Sequence, residues 1–234
     1  LCSALPVYAA DAPTGAAAEA LHALGLVGGY GNNADGSVNF ALGDKLTRAQ
    51  AFVLVVRFIG AEKDATANVQ SHPFTDVPAW AAPYIGYVYA NGITKGVSET
   101  KFDPDTEVSE AAFLTILLRV LGYDDGAGDF KWDDPYTLAQ QVCIVDAKAN
   151  TFNRGGAFVI CYRALTATPK SGDNIANQLI AKGVFTKEAY DKVMHQDSTP
   201  TQPGIDPKDL KTVITPIAEL NTKGTDGDHA DDDY

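Results

Sequence analysis

An all-α chain built from three units of one kind is what this sequence predicts, and two observations carry the prediction. The block Leu46-Thr-Arg-Ala-Gln-Ala-Phe-Val-Leu-Val-Val-Arg-Phe-Ile-Gly60 recurs at Val108-Ser-Glu-Ala-Ala-Phe-Leu-Thr-Ile-Leu-Leu-Arg-Val-Leu-Gly122 and, more loosely, at Phe152-Asn-Arg-Gly-Gly-Ala-Phe-Val-Ile-Cys-Tyr-Arg-Ala-Leu165. Each copy opens on a short polar residue (Thr47, Ser109, Asn153) and carries an arginine ten positions later (Arg57, Arg119, Arg163). The blocks are also apolar almost all round, as Phe52 to Phe58 shows, which suits a helix at the centre of a bundle and not one on a surface. Repeated units bury a continuous core between neighbours, so these three helices are expected to meet about a pseudo-threefold axis.

Taken in order, the chain divides into residues 1–9, three units at 10–62, 70–123 and 128–195, and an end segment at 196–234. In the first unit the alanine-rich Ala16 to Gly25 reads as a helix, and Tyr30-Gly-Asn-Asn-Ala-Asp-Gly36 as a surface turn. Thr47, Ser109 and Asn153 are N-cap residues, whose side-chain oxygen accepts from an orphan N–H of the first turn. Gly60 and Gly122 suit the left-handed position past a helix end. In the third unit Gly155 and Gly156 are expected to weaken the helix start. Ile175 to Phe185 and the Thr186-capped segment to Met194 read as closing helices that complete the bundle beside the abbreviated first unit. Gln196 to Gly204 is a Pro/Thr linker, Leu210 to Leu220 an extended segment, and the acidic end a solvated tail.

Ahead of the second block stand Phe74-Thr-Asp-Val-Pro-Ala-Trp80, then Asn91-Gly-Ile-Thr-Lys-Gly96, then Lys101-Phe-Asp-Pro-Asp105. This succession closely resembles the S-layer homology family, in which F-x-D-V-x-x-x-W, G-I-x-x-G, F-x-P and a T-R-A-E-like helix start follow in that order. The resemblance covers roughly residues 17 to 195, with the first and third copies divergent. Leu24-Gly-Leu-Val-Gly-Gly29 stands where Asn91 to Gly96 stands, and Phe130-Lys-Trp-Asp-Asp-Pro-Tyr136 takes the place of the F-x-D-V segment in the third copy. It implies a spindle of three repeats about a central three-helix bundle.

Composition restricts the function. A net charge of -12 argues against nucleic acid, which draws on clustered Lys and Arg. No apolar stretch is long enough to span a bilayer. Leu1 to Ala9 reads as the end of a secretory signal, with Val7 and Ala9 small enough to precede a cleavage site, so export to the cell surface is expected. The histidines are scattered without metal-ligand spacing, and neither G-x-S-x-G nor a phosphate loop is present, so neither catalysis nor a metal or other cofactor is expected. Cys161 aligns with Val55 and Leu117 and reads as a small core hydrophobe; an exported chain also allows a Cys143–Cys161 disulfide.

The resemblance implies binding of secondary cell-wall polysaccharide in grooves between repeats, often through a pyruvylated sugar. A ketal carboxylate calls for a guanidinium fork, and a sugar ring for a flat aromatic face. By that analogy Arg48, Asp76 and Trp80 line one groove with Lys95 and Gly96 nearby, and Arg48 ranks first among the ligand residues. Arg154, Trp132 and Asp133 belong to the degenerate third copy. Glu110 stands at the arginine position of the second and would repel a carboxylated sugar, silencing that groove. Two other readings stay open: an envelope module that contacts other proteins without glycan affinity, and the anchoring part of a larger exported enzyme.

Overall fold

The structure, a computed structural model, describes residues 14–194. The segments read from sequence as a signal remnant (1–9), a linker, the Leu210–Leu220 stretch and the acidic end lie outside the described residues. Within them the protein is all-α: α1 (Thr14–Ala23), α2 (Arg48–Phe58), α3 (Glu62–Ala67), α4 (Ala82–Ala90), α5 (Glu110–Val120), α6 (Tyr136–Gln141), α7 (Arg154–Ala164), α8 (Ile175–Ala181) and α9 (Lys187–Met194). Extended pairing among the described residues is confined to isolated bridges.

The three repeated blocks are the helices α2, α5 and α7, and each begins as its sequence dictates. Thr47 Oγ1 accepts from Gln50 N while the Gln50 side chain accepts from Thr47 N, a reciprocal capping box. Ser109 accepts from Ala112 N, and Asn153 from Gly156 N. Gly60 and Gly122 end α2 and α5 in the left-handed conformation (φ 67° and 85°). Most residues of all three helices are buried in one apolar cluster, in which Phe52, Phe58, Phe113 and Phe158 are nearly inaccessible. Each such ring contributes about 1.5–3 kcal/mol by leaving water.

The remaining orphan N–H groups explain how neighbouring units dock. At the start of α2, Arg48 N and Ala49 N donate to the carbonyls of Thr106 and Pro104, in the loop before α5. At the start of α7, Arg154 N and Gly155 N donate to Asp44 and Leu42, in the loop before α2. At the start of α5 the polarity reverses: Ala149 N, in the loop before α7, donates to the Glu110 carboxylate. The starts of α2 and α7 are therefore capped by loop carbonyls from another unit, because four N–H groups per helix need partners that the helix cannot supply, whereas at α5 the loop binds the first side chain of the helix.

One sequence expectation, a disulfide, is corrected here, and Gly155 gains a steric role: a Cβ there would come within 2.9 Å of the Thr14 side chain and 3.1 Å of the Leu42 carbonyl. Glycine at that point lets α1 and the capping loop lie directly on α7, and α1 packs on α7. Cys161 is a free thiol inside the core, so the Cys143–Cys161 disulfide does not form. The closing helices are present, with Thr186 Oγ1 accepting from Ala189 N, and α9 packs against α1. Helix α3, for which the sequence shows no signal, carries Glu62 next to Arg57.

Candidate functional site

Docking of α7 against the first unit brings Arg154 into a cleft. Its Nε donates to the Phe40 carbonyl at 2.9 Å and its Nη2 to the Gly28 carbonyl at 3.2 Å. The guanidinium carbon lies 4.8 Å from the centre of the Tyr30 ring and 4.9 Å from that of Phe158. Both neighbours orient the fork by its face and leave part of its edge free. Burial depresses the Arg154 pKa below the ordinary guanidinium value, and no ion pair to a carboxylate forms among the described residues. The cavity in front of it holds about 400 Å³ and is lined by Gly28, Gly29 and Tyr30 of the first unit, Arg57 of α2, and Trp80 and Tyr84 of the second unit. Trp80 and Tyr30 are more than half exposed, so two large aromatic rings border the opening.

A second charged group shares that cavity. Arg57 Nε donates to Glu62 Oε1 at 2.9 Å, Tyr84 OH donates to the same oxygen at 2.5 Å, and Arg57 Nη2 stands 3.4 Å from the Tyr84 oxygen. Burial opposes ionisation of Glu62, but the Tyr84 and Arg57 hydrogen bonds outweigh it and hold the carboxyl below its ordinary value. Burial and Glu62 push the Tyr84 phenol up. Glu62 comes from α3, the helix directly after the Arg57 turn.

Arg48 sits in the same local frame at the start of α2. Its Nε donates to Phe102 O at 2.9 Å, its Nη2 to Thr94 Oγ1 at 3.4 Å, and Phe52 and Phe102 flank it at 5.2 and 4.9 Å. Burial depresses its pKa as well. Lys95 opens on a neighbouring cavity of about 360 Å³ with Arg119, Tyr123 and Asp125. There Arg119 grips Asp125 through two hydrogen bonds of 2.7 Å. Gly96 serves the backbone: its φ is 76°, and a Cβ would lie 2.3 Å from the Phe74 ring.

The sequence grouped Arg48, Asp76 and Trp80, and the structure keeps Arg48 and Asp76 on one loop while placing Trp80 on another cavity. Trp80 lines the cavity of Arg154, which neither Arg48 nor Asp76 lines. Asp76 accepts from Phe102 N at 2.9 Å and Asp103 N at 3.0 Å, fixing the loop whose carbonyl receives Arg48. Its partial burial works against the charge, but those two N–H groups prevail and hold the carboxyl low. Trp132 is strongly exposed, with its carbonyl 3.4 Å from the Thr115 hydroxyl of α5, and Asp133 is exposed beside it.

At the third position Glu110 is buried and its Oε2 accepts from Tyr136 OH and Ala149 N, both at 2.9 Å. Burial and this carboxylate push the Tyr136 phenol up to about 12, and Lys148 lies 5.7 Å over its ring. The glutamate is thus consumed by the fold. Sequence reasoning missed Tyr30, Arg57, Glu62 and Tyr84. The alignment of Gly28–Gly29 with Lys95–Gly96 was the available signal for the first-unit wall.

Residues 73–114 match the family model for the S-layer homology domain. Over 191 residues the chain is 31% identical to a cell surface protein of Thermoanaerobacter kivui, covering 77% of this chain and 24% of that protein. Over 203 residues it is 30% identical to the middle cell wall protein of Brevibacillus brevis, covering 82% and 19% respectively. A cellulosome-anchoring protein of Acetivibrio thermocellus is 30% identical over 80 residues, covering 33% of this chain and 18% of its own. The chain spans about a quarter or less of the length of these relatives.

Proposed function

From the premise that this chain carries an S-layer homology domain, we propose that it holds an exported protein at the bacterial cell surface by binding the wall without a covalent bond. The ligand in this reading is an anionic wall polysaccharide, with a sugar carboxylate such as a pyruvyl ketal seated at Arg154. The observation that carries the reading is the guanidinium of Arg154: half-buried, held by backbone carbonyls and ring faces with no carboxylate partner among the described residues, and open to a cavity with aromatic walls. A carboxylate arriving there gains charge-assisted hydrogen bonds from a fork already oriented, so little ordering remains to be done on binding. Trp80 offers the flat apolar surface that a pyranose ring covers, and Gly28 and Gly29 permit close approach.

Arg48, with Lys95, is the second site in this reading, and Phe52 and Phe102 are the rings beside its guanidinium. This reading ranks Arg154 ahead of Arg48, the reverse of the order drawn from sequence, because Trp80 lines the same cavity as Arg154. The reading of a protein-contacting module without glycan affinity finds support only at Glu110, where the ligand position is filled from within. Co-sedimentation with purified wall sacculi tests the proposal. Binding should be saturable, should fall after extraction of the polysaccharide, and should fall again when only its pyruvyl groups are removed. Equal sedimentation with intact and stripped walls would contradict it.

A further inference from the structure

The anionic-glycan reading uses Arg154 and leaves Arg57 and Tyr84 in the same cavity without a task. We propose that Arg57 and Tyr84, positioned by Glu62, form a second subsite that takes ring hydroxyls of the acidic sugar whose carboxylate sits at Arg154. The inference rests on that reading of the cavity and adds to it which face of the ligand is recognised.

The chemistry of the pair selects for a neutral hydroxyl. Glu62 already neutralises Arg57, so a second carboxylate finds no net positive charge there. Tyr84 spends its proton on Glu62 and accepts from Arg57 Nη2 at 3.4 Å, which leaves one lone pair of its oxygen as an acceptor. Arg57 Nη1, which has no partner among the described residues, is the donor beside it. A donor and an acceptor side by side are what a sugar hydroxyl, itself both, pairs with. The equivalent arginine near Arg48 lacks this capacity: Arg119 gives Nε and Nη2 to Asp125 and Nη1 to the Ile93 carbonyl at 3.4 Å. Trp80 precedes Tyr84 by four residues, so the aromatic wall and the polar pair belong to one stretch of chain.

Calorimetric titration of purified wall polysaccharide over a range of salt tests the subsite. Tyr84→Phe keeps the ring and removes only the hydroxyl; it should weaken binding by about 3- to 10-fold, the value of one neutral hydrogen bond. The loss should be the same at each salt concentration, leaving the salt slope of the wild type. Arg57→Lys, which keeps the charge but not the fork, should give a comparable loss. Arg154→Ala should differ in kind, flattening the salt slope because a charge contact has gone. Wild-type affinity in both Tyr84→Phe and Arg57→Lys, with Arg154→Ala impaired, would overturn the subsite and leave the reading intact. Unimpaired Arg154→Ala, or a wild type that binds no wall fraction, would overturn both.

Discussion

Arg154 and Glu110 occupy the same place, first residue after the N-cap of a central helix, and they put it to opposite uses. Around Arg154 the fold supplies only carbonyls and ring faces, so a charge is left over for something outside the chain. Around Glu110 it supplies a phenol and a backbone N–H, so the charge is used up within. The helix dipole points the same way in both cases: an acid is favoured at a helix start and an arginine is not. What distinguishes a site from a seam is therefore visible in which groups remain unpaired, and an arginine kept where the dipole disfavours it marks the former.

The sharpest break of this comparison is Glu110→Arg. From sequence alone that change promised new affinity, but the position is buried between Tyr136 and the Ala149 N–H, both donors facing the carboxylate. A guanidinium there would leave both donors unmet and bury an unpaired charge, so we expect stability to fall by about 3 kcal/mol or more with no gain in wall binding. Urea unfolding measures the first, calorimetry the second; a stable variant with new affinity would restore the view of Glu110 as a silenced groove.

A smaller effect separates the two cavities by pH. Hydrogen bonds from Arg119 hold the Asp125 carboxyl below its ordinary value. A group depressed in the folded state stabilises above its unfolded pKa and loses that contribution as pH falls through the folded one. The Arg119–Asp125 link should therefore contribute about 1 kcal/mol near neutrality and fade below about pH 4. Asp125→Asn should melt earlier than wild type at pH 7 and converge with it in acid; a constant difference across the pH range would show that the pair is not the cause.

The smallest effect is expected inside α7. Cys161 lies where α2 has Val55, fully buried, and burial pushes its thiol far up. Cys161→Val should change stability by less than about 1 kcal/mol. A thiol reagent should label Cys161 only after denaturant is added, and rapid labelling of the native protein at this residue would contradict the packing.

How much of this was legible in the residues follows the range of each interaction. N-caps at Thr47, Ser109 and Asn153 are read directly, because a cap is completed within three residues, and so are the left-handed glycines at Gly60 and Gly122. The closing role of Glu110 was half legible: its sign was clear, but its partners Tyr136 and Ala149 lie 26 and 39 positions away. The cavity itself was the least legible part. Arg154 meets Gly28 across 126 positions, and whether Trp80 joins Arg48 or Arg154 depends on which units abut. Motif order within one unit carries no information on that. The short helix α3 had no periodic signal to announce it, and with it went Glu62 and the polar pair it holds.

The central claim is that the unpaired guanidinium of Arg154 is the principal grip on an anionic wall glycan, and one titration tests it most directly: wall polysaccharide against wild type, Arg154→Ala and Arg48→Ala in parallel. Arg154→Ala should lose more than about tenfold in affinity, since a charge-assisted bidentate pair is worth about 1.5–3 kcal/mol, while its helical signal stays that of the wild type. Arg48→Ala should lose less. Wild-type affinity in Arg154→Ala, or a loss confined to Arg48→Ala, would contradict the account.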